Sequence, residues 1–91
     1  MSAYTYILRC SDERRYYGST NDLRRRLAEH HRGRVRSTQW RRPVRLVYFE
    51  EFQTLPQARQ RERMFKGGRT REKTVDRLIA TFPRELLAPF T

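Results

Sequence analysis

Residues that could act on a phosphate group recur at regular intervals in the first third of the chain. Tyr6 and Tyr16 are ten residues apart, and Arg26 follows Tyr16 by the same interval. His30 stands four residues beyond Arg26, so the two are expected to share one helix face. A phenol or an imidazole can transfer protons, and a guanidinium can fork onto phosphate oxygens. Both tyrosines fall at even positions of two strand-like segments, so they can face one side of a sheet.

The chain carries a large excess of positive charge. Lys and Arg number 21 against 10 Asp and Glu, which gives a formal net charge of +11 over 91 residues. Of the 21 cations, 19 are Arg, a preference over Lys that a GC-rich genome would explain, although it would not explain the excess of cations. A domain this basic fits a polyanionic partner, and counterion release from phosphates would drive nucleic-acid binding.

Length and composition argue against several other classes of protein. We expect a single domain at residues 1–83 and a docked or frayed C-terminal tail at 84–91. No apolar run approaches the ~20 residues of a membrane-spanning helix, and the charged N-terminal segment lacks a signal-peptide core. The one cysteine, Cys10, excludes an internal disulfide and a cysteine zinc site, and we expect it to be core packing. The expected compartment is the cytoplasm.

The sequence segments that must position these residues predict an α+β domain, with its strands and helices in the order ββαβαα. Strands at 3–9 and 15–19 are expected to form a hairpin around the polar segment 11–14, which lacks an Asn-Gly turn signal. A third strand at about 44–50 completes a small three-stranded antiparallel sheet flanked by helices. In that strand, strict alternation would place Val44, Leu46 and Tyr48 on one face and Arg45, Val47 and Phe49 on the other.

Three helices are expected around the sheet. The first spans about 21–31 with Thr20 or Asn21 as its N-cap, and a basic loop at 32–42 follows. The second begins at Thr54 with a proline in its first turn and ends at Lys66 before two glycines. A third helix is expected to be capped by Thr70, to end at Pro83, and to bury Val75, Leu78, Ile79 and Phe82.

Two tyrosine motifs and two helical segments occur together along the chain. The first motif is Tyr-Thr-Tyr at 4–6, and the second is Tyr-Tyr-Gly at 16–18. The helical segments lie at 20–30, with an Arg and then a His one turn later, and at 58–66, with a Glu among arginines. As a set, these segments resemble the GIY-YIG nuclease family, most closely its small standalone bacterial members. The resemblance extends over about residues 3–80.

The chain departs from the family pattern at two points. Tyr4 and Thr5 stand where the family's name implies Gly and Ile, and we expect this change at structural positions to be tolerated. Many relatives carry an Asn some twelve or more residues after the Glu. This chain has Thr74 in that region, and its one Asn is Asn21.

The resemblance implies a metal-dependent DNA endonuclease that hydrolyses phosphodiester bonds and leaves 5′-phosphate and 3′-hydroxyl ends. It implies that Glu62 binds one Mg²⁺ or Mn²⁺ ion, that Arg26 binds the phosphate, and that Tyr16 orients water or phosphate. Tyr6 is the expected general base, although a phenol near pKa 10 would need its pKa lowered. His30 is the alternative base, because an imidazole is better matched to neutral pH.

Each of these residues also has a plain structural role. Glu62 between Arg61 and Arg63 would ordinarily be a solvated ion-pair member, and both tyrosines could be ordinary strand packing. His31 is not expected to pair with its neighbour on a metal, because adjacent helical residues diverge.

Further residues are expected to contact DNA because they add charge, an aromatic surface or a close backbone approach. They are Gly18, Arg24, Arg25, Arg34, Arg36, Trp40, Arg41 and Lys66. Trp40 could stack on an unpaired base or anchor the long basic loop to the core, and the sequence leaves both open.

The substrate is expected to be single-stranded, branched or nicked DNA, because the chain carries no second DNA-binding module. A role in DNA repair or processing would follow. The alternative is a non-catalytic nucleic-acid-binding module for DNA or RNA, since nothing in the sequence excludes a 2′-hydroxyl. The oligomeric state is left open.

Overall fold

One antiparallel sheet with helices on both faces forms the fold. The structure is a computed structural model, and it describes residues 2–68 and 71–90. Its strands are β1 at Ala3–Arg9, β2 at Arg15–Thr20 and β3 at Arg45–Phe52. Its helices are α1 at Leu23–His31, α2 at Leu55–Lys66, α3 at Glu72–Ala80 and α4 at Arg84–Leu87. Short 3₁₀ turns lie at Gln39–Arg41 and Ala88–Phe90.

The predicted α+β architecture is confirmed, and β1 is the central strand of the order β2-β1-β3. Because alternate side chains of a strand point to opposite faces, β1 contributes to two cores. The first core lies on the α1 side and consists of Tyr6, Leu8, Cys10, Leu23, Leu27, Val44 and Leu46. The second lies on the side of α2 and α3 and consists of Ile7, Val47, Tyr48, Phe65 and Val75. Cys10 is packing, as predicted.

The predicted alternation along β3 is wrong beyond Leu46. Leu8 of β1 pairs with Leu46, but Ile7 pairs with Tyr48, so the ladder contains a one-residue irregularity at Val47. Such a bulge shifts the phase of a strand. Leu46 therefore enters the first core and Tyr48 the second, although both positions are even. The strand also extends to Phe52, two residues beyond its predicted end.

Helix α1 begins two residues later than predicted. Its N-cap is Asp22, whose Oδ1 accepts from the backbone N–H of Arg25 at 3.1 Å. Thr20 cannot be the cap because it is the last residue of β2, and its hydroxyl accepts from the N–H of Asp22 at 3.0 Å.

The second helix matches its prediction at both ends. Thr54 and Gln57 form a reciprocal capping box, and Gly67 follows the last residue. The third helix has Arg71 as its N-cap, while the predicted cap, Thr70, lies outside the described residues. This helix ends at Ala80, ahead of Pro83.

The C-terminal tail is docked over its described part, 84–90. Leu87 and Phe90 pack against the first core, and Arg24 of α1 donates to the carbonyl of Pro89 at 3.0 Å. The guanidinium of Arg24 also lies 5.3 Å from the centre of the Phe90 ring. None of the helices in the described part of the chain is long and apolar enough to cross a membrane.

Candidate active site

Tyr6 lies at the centre of the sheet with its side chain fully buried. Its partner on β2 is Gly18. A Cβ atom at Gly18 would come within 2.5 Å of Cζ and of the hydroxyl oxygen of Tyr6. Gly18 therefore lets the phenol ring cross the neighbouring strand. The DNA contact predicted for Gly18 stays a prediction.

Tyr16 and His30 complete an aromatic cluster around Tyr6. Leu8 pairs with Tyr16 in the hairpin, so Tyr16 is diagonal to Tyr6 on the same face of the sheet, as its even position predicted. The ring centroids of Tyr6 and Tyr16 are 6.2 Å apart. The buried His30 ring lies 5.7 Å from that of Tyr6 and 5.0 Å from that of Tyr16.

Hydrogen bonds fix His30 at both ring nitrogens. Nε2 lies 2.8 Å from the hydroxyl of Tyr6, and Nδ1 lies 2.8 Å from Oγ1 of Thr38. Thr38 is itself fully buried, and its hydroxyl donates to the carbonyl of Val35 at 3.5 Å. If that proton is directed at Val35, Nδ1 is the donor to Thr38, and Nε2 is the acceptor from Tyr6. Thr38 was missed by the sequence reasoning, because a single threonine in a basic loop carries no periodic signal.

Burial keeps both members of the Tyr6–His30 pair neutral. It raises the pKa of Tyr6 well above the usual 10, with further increases from Tyr16 and Glu62, while Arg26 opposes the shift. Burial also lowers the pKa of His30 to about 4, helped by the charges of Arg26 and His31. The lowered pKa that Tyr6 would need as a base is therefore absent in the protein without substrate and metal, because desolvation outweighs the neighbouring cation.

Arg26 is half-buried beside the aromatic cluster. Its Nη1 pairs with Oε1 of Glu29 at 3.0 Å. Burial disfavours its charge, but the bond to Glu29 and the proximity of Tyr6 and Tyr16 outweigh this and raise the pKa of Arg26 further. The site therefore keeps a permanent cation next to two phenols.

Glu62 approaches from the other side of the sheet. Thr5 pairs with Ser19, so both side chains lie on the face opposite Tyr6. The Thr5 hydroxyl donates to the carbonyl of Ala58 at 2.6 Å, and the Ser19 hydroxyl donates to Oε1 of Glu62 at 2.6 Å. Helix α2 thus lies over that face. Since β2 is an edge strand, a ligand could contact Glu62 and the aromatic cluster across that edge.

The oxygens of Glu62 already have partners. Its side chain is 18% exposed, and Oε2 pairs with Lys66 Nζ at 2.5 Å. Ser19, the partner of Oε1, was also missed, although its place next to the Tyr-Tyr-Gly motif was the one available signal. A positive neighbour and a hydroxyl hold the carboxylate in one orientation.

No group of three or more His, Cys, Asp or Glu that could hold a metal ion occurs among residues 2–68 and 71–90. A single carboxylate oxygen suits a hard cation such as Mg²⁺, which keeps most of its waters. Such an ion fits Glu62 if it displaces Lys66 from Oε2, whereas a fully caged ion does not fit.

The residues predicted to contact DNA fall into two groups. Arg24, Arg41 and Lys66 have side-chain partners within the chain: Arg24 donates to the carbonyl of Pro89, Arg41 pairs with Asp12 at 3.0 Å, and Lys66 pairs with Glu62. The members of the second group are exposed and are Arg25, Arg34, Arg36 and Trp40. Trp40 is 88% exposed, so its alternative role as a core anchor is wrong. The DNA contacts themselves stay predictions.

Comparison with known proteins gives one consistent result. A family model described as the GIY-YIG catalytic domain matches residues 2–74. A UPF0213 protein from Streptococcus pyogenes serotype M5 (strain Manfredo) is 40% identical over 84 residues, covering 91% of this chain and 90% of that protein. The solution NMR structure of a UPF0213 protein from Bacillus halodurans has a TM-score of 0.53 and 30% identity, covering 90% of this chain and 86% of that chain. The matched range includes the aromatic cluster, Arg26 and Glu62.

Proposed function

Because this chain belongs to the GIY-YIG catalytic domain family, a family of endonucleases, we propose that it is a metal-dependent DNA endonuclease. The observation that carries the proposal is the buried hydrogen bond between Tyr6 and His30 beside the half-buried cation of Arg26. A buried phenol and imidazole joined in this way offer a proton path, and the nearby guanidinium offers an anion site.

In the proposed mechanism, Tyr6 and His30 act together as the general base. Substrate binding must first expose the Tyr6 hydroxyl, which is fully buried in the protein without substrate. Its oxygen then takes a proton from the attacking water while Tyr6 passes its own proton to Nε2 of His30. Tyr6 and His30, the two expected bases, thus form one proton relay, and neither residue has to ionise alone. Thr38 accepts from Nδ1 and keeps Nε2 open for the proton. The low pKa of His30 means that the negative charge of the bound phosphodiester must stabilise the imidazolium.

Arg26 and Tyr16 are the proposed contacts to the phosphate. Arg26 can exchange its bond to Glu29 for bidentate hydrogen bonds to two non-bridging phosphate oxygens, since its side chain is partly exposed. Tyr16 is half-buried and lies next to both members of the relay, so its hydroxyl is placed to orient water or phosphate.

Glu62 is the proposed metal ligand. A bound Mg²⁺ or Mn²⁺ ion would neutralise phosphate charge and assist departure of the leaving oxygen. Ser19 holds one carboxylate oxygen, which fixes the direction in which the other is presented. Lys66 balances the charge of Glu62 while no cation is bound.

The proposed substrate is single-stranded or branched DNA, and the proposed role is in DNA repair or processing. The net charge of +11 supports binding to a phosphate backbone.

The test is a cleavage assay with Mg²⁺ or Mn²⁺ on single-stranded, duplex and forked DNA and on RNA. We expect DNA to be cut, and we expect Tyr6→Phe and Glu62→Gln each to lower the rate by about 10²- to 10⁴-fold. Glu85→Gln, at an exposed position of α4, is the matched control and should cut normally. Binding to every substrate without cutting would instead support the non-catalytic binding module. Cutting that survives Glu62→Gln would refute the metal assignment.

A further inference from the structure

Trp40 is the single tryptophan of the chain, and it projects into solvent from the basic loop at 32–42. Its exposed fraction is 88%, although an indole is among the side chains that gain most from burial. We propose that Trp40 is a stacking platform for an unpaired base of single-stranded DNA. The choice of DNA rests on the proposed function, whereas the platform itself rests on the geometry of the loop.

The indole is held in place by its neighbour. When the Gln39 amide is oriented to satisfy both of its ends, its oxygen accepts from Nε1 of Trp40 at 3.0 Å. In the same orientation its nitrogen donates to the carbonyl of Gly33 at 3.2 Å. The polar edge of the indole is thus bonded to the loop, while most of the ring surface stays in water. A platform fixed in advance loses little entropy when a base stacks on it.

The loop beneath the platform is itself anchored. Val35 and Thr38 are buried, and Arg41 pairs with Asp12 of the hairpin. The Ser11 N–H also donates to the carbonyl of Arg41 at 3.0 Å. An exposed aromatic side chain on a freely moving loop would need no explanation, but Trp40 lies in a loop that is anchored to the rest of the domain.

The same segment reaches the candidate active site. Thr38, two residues before Trp40, is the partner of His30 Nδ1. Two residues span at most about 7 Å, so the platform lies close in the chain to the proposed proton relay.

Charge identifies the kind of partner. Residues 30–49 contain six Arg and no Asp or Glu. Arg34 and Arg36 are exposed and form no salt bridge with any residue that the structure describes. Free cations around an aromatic surface match the backbone and the bases of a single strand. Duplex bases are stacked on one another, so their faces are not open to Trp40.

The fluorescence of the single Trp reports directly on this contact. The full chain, kept in EDTA to prevent cleavage, is titrated with oligo-dT, with an abasic strand of equal length, and with a blunt duplex. We expect quenching by oligo-dT, and binding of the abasic strand and the duplex with little quenching. Oligo-rU is a further arm, and quenching by rU without quenching by dT would overturn the assignment to DNA. Equal fluorescence with oligo-dT and the abasic strand would overturn the platform.

Variants test the contribution to affinity. Trp40→Ala should weaken oligo-dT binding by about 5- to 150-fold, as measured by anisotropy of a labelled strand, and should leave abasic binding nearly unchanged. Trp40→Phe should recover part of the loss because it keeps an aromatic face. Leu86→Ala, at another exposed apolar side chain, is the matched control and should bind normally. Equal weakening of oligo-dT and abasic binding would mean that Trp40 supports the loop and stacks on nothing.

The platform and the nuclease can fail separately. Quenching by oligo-dT in a chain that never cuts would refute the proposed activity and leave the platform standing. Metal-dependent cutting without quenching by oligo-dT would refute the platform and leave the proposed activity standing.

Discussion

On the α1 side of the sheet, three aromatic rings form a cluster in which Tyr6 and His30 are buried, whereas on the α2 side the carboxylate of Glu62 lies between a hydroxyl and an ammonium group. Tyr6 and His30 are fully buried, while the side chain of Glu62 is 18% exposed and that of its partner Lys66 is 52% exposed. The Tyr6–His30 pair is held by packing and buried hydrogen bonds, whereas Glu62 is held by exchangeable ionic and hydroxyl contacts above the second core. Changes at the aromatic cluster should therefore affect stability, and changes at the contacts of Glu62 should mainly affect metal binding.

Protonation of His30 should give the largest change in stability. Its folded pKa of about 4 lies below the usual 6.5, so the unfolded chain binds more protons between these values. Stability is then fully present above about pH 6.5 and decreases as the pH falls towards 4, by about 3 kcal/mol in all. Urea unfolding at pH 7.5 and 4.5 measures this loss.

His31→Gln is the control for that experiment. Because His31 is exposed, its replacement should leave most of the pH dependence of stability in place. His30→Gln should remove the pH dependence of stability between pH 7.5 and 4.5. A free energy of unfolding that is constant between pH 7.5 and 4.5 in the unchanged chain would contradict the neutral cluster.

Gly18→Ala should give the next largest effect. The added methyl group would meet the Tyr6 ring at 2.5 Å, and a ring packed on both sides cannot move away without strain. We expect the free energy of unfolding to fall by about 1–3 kcal/mol. Thermal or urea unfolding measures it against Gly67→Ala, where the nearest atom is a backbone oxygen at 3.0 Å. Equal stability of the two variants would show that the α1 side is less rigid than its packing indicates.

Lys66→Gln should give the smallest effect, confined to the α2 side. It removes the cation that competes with a metal at Glu62, and an exposed pair of this kind is worth about 0.2–1 kcal/mol. The Mg²⁺ concentration for half-maximal cleavage should fall by about 1.5- to 5-fold. Arg63→Gln on the same helix is the control. An increased metal requirement would mean that Lys66 contacts the substrate.

The sequence predicted the α1 side well because regular intervals carry information there. The even positions of Tyr6 and Tyr16 gave their common face, and the one-turn spacing of Arg26 and His30 placed both on the same helix. These relations follow from periods of two and 3.6 residues, which are visible in any sequence.

The partners of the site residues were not predictable in that way. Ser19 and Thr38 are single polar residues, and their contacts depend on how α2 and the basic loop pack in three dimensions. The exposure of Trp40 was equally unpredictable, since the same indole could have packed against the core. Burial also reversed the expected pKa change of Tyr6, and the degree of burial is not a property of local sequence.

The bulge at Val47 has a consequence at the far end of the chain. Because it changes the phase of β3, Phe49 pairs with Tyr6 and lies on the α1 side, 5.6 Å from the Phe90 ring. If β3 continued past Leu46 in regular pairing, Tyr48 would lie opposite Tyr6, and Phe49 would face the α2 side, away from Phe90. The bulge at one residue of β3 therefore helps to set the docking place of a segment far along the chain.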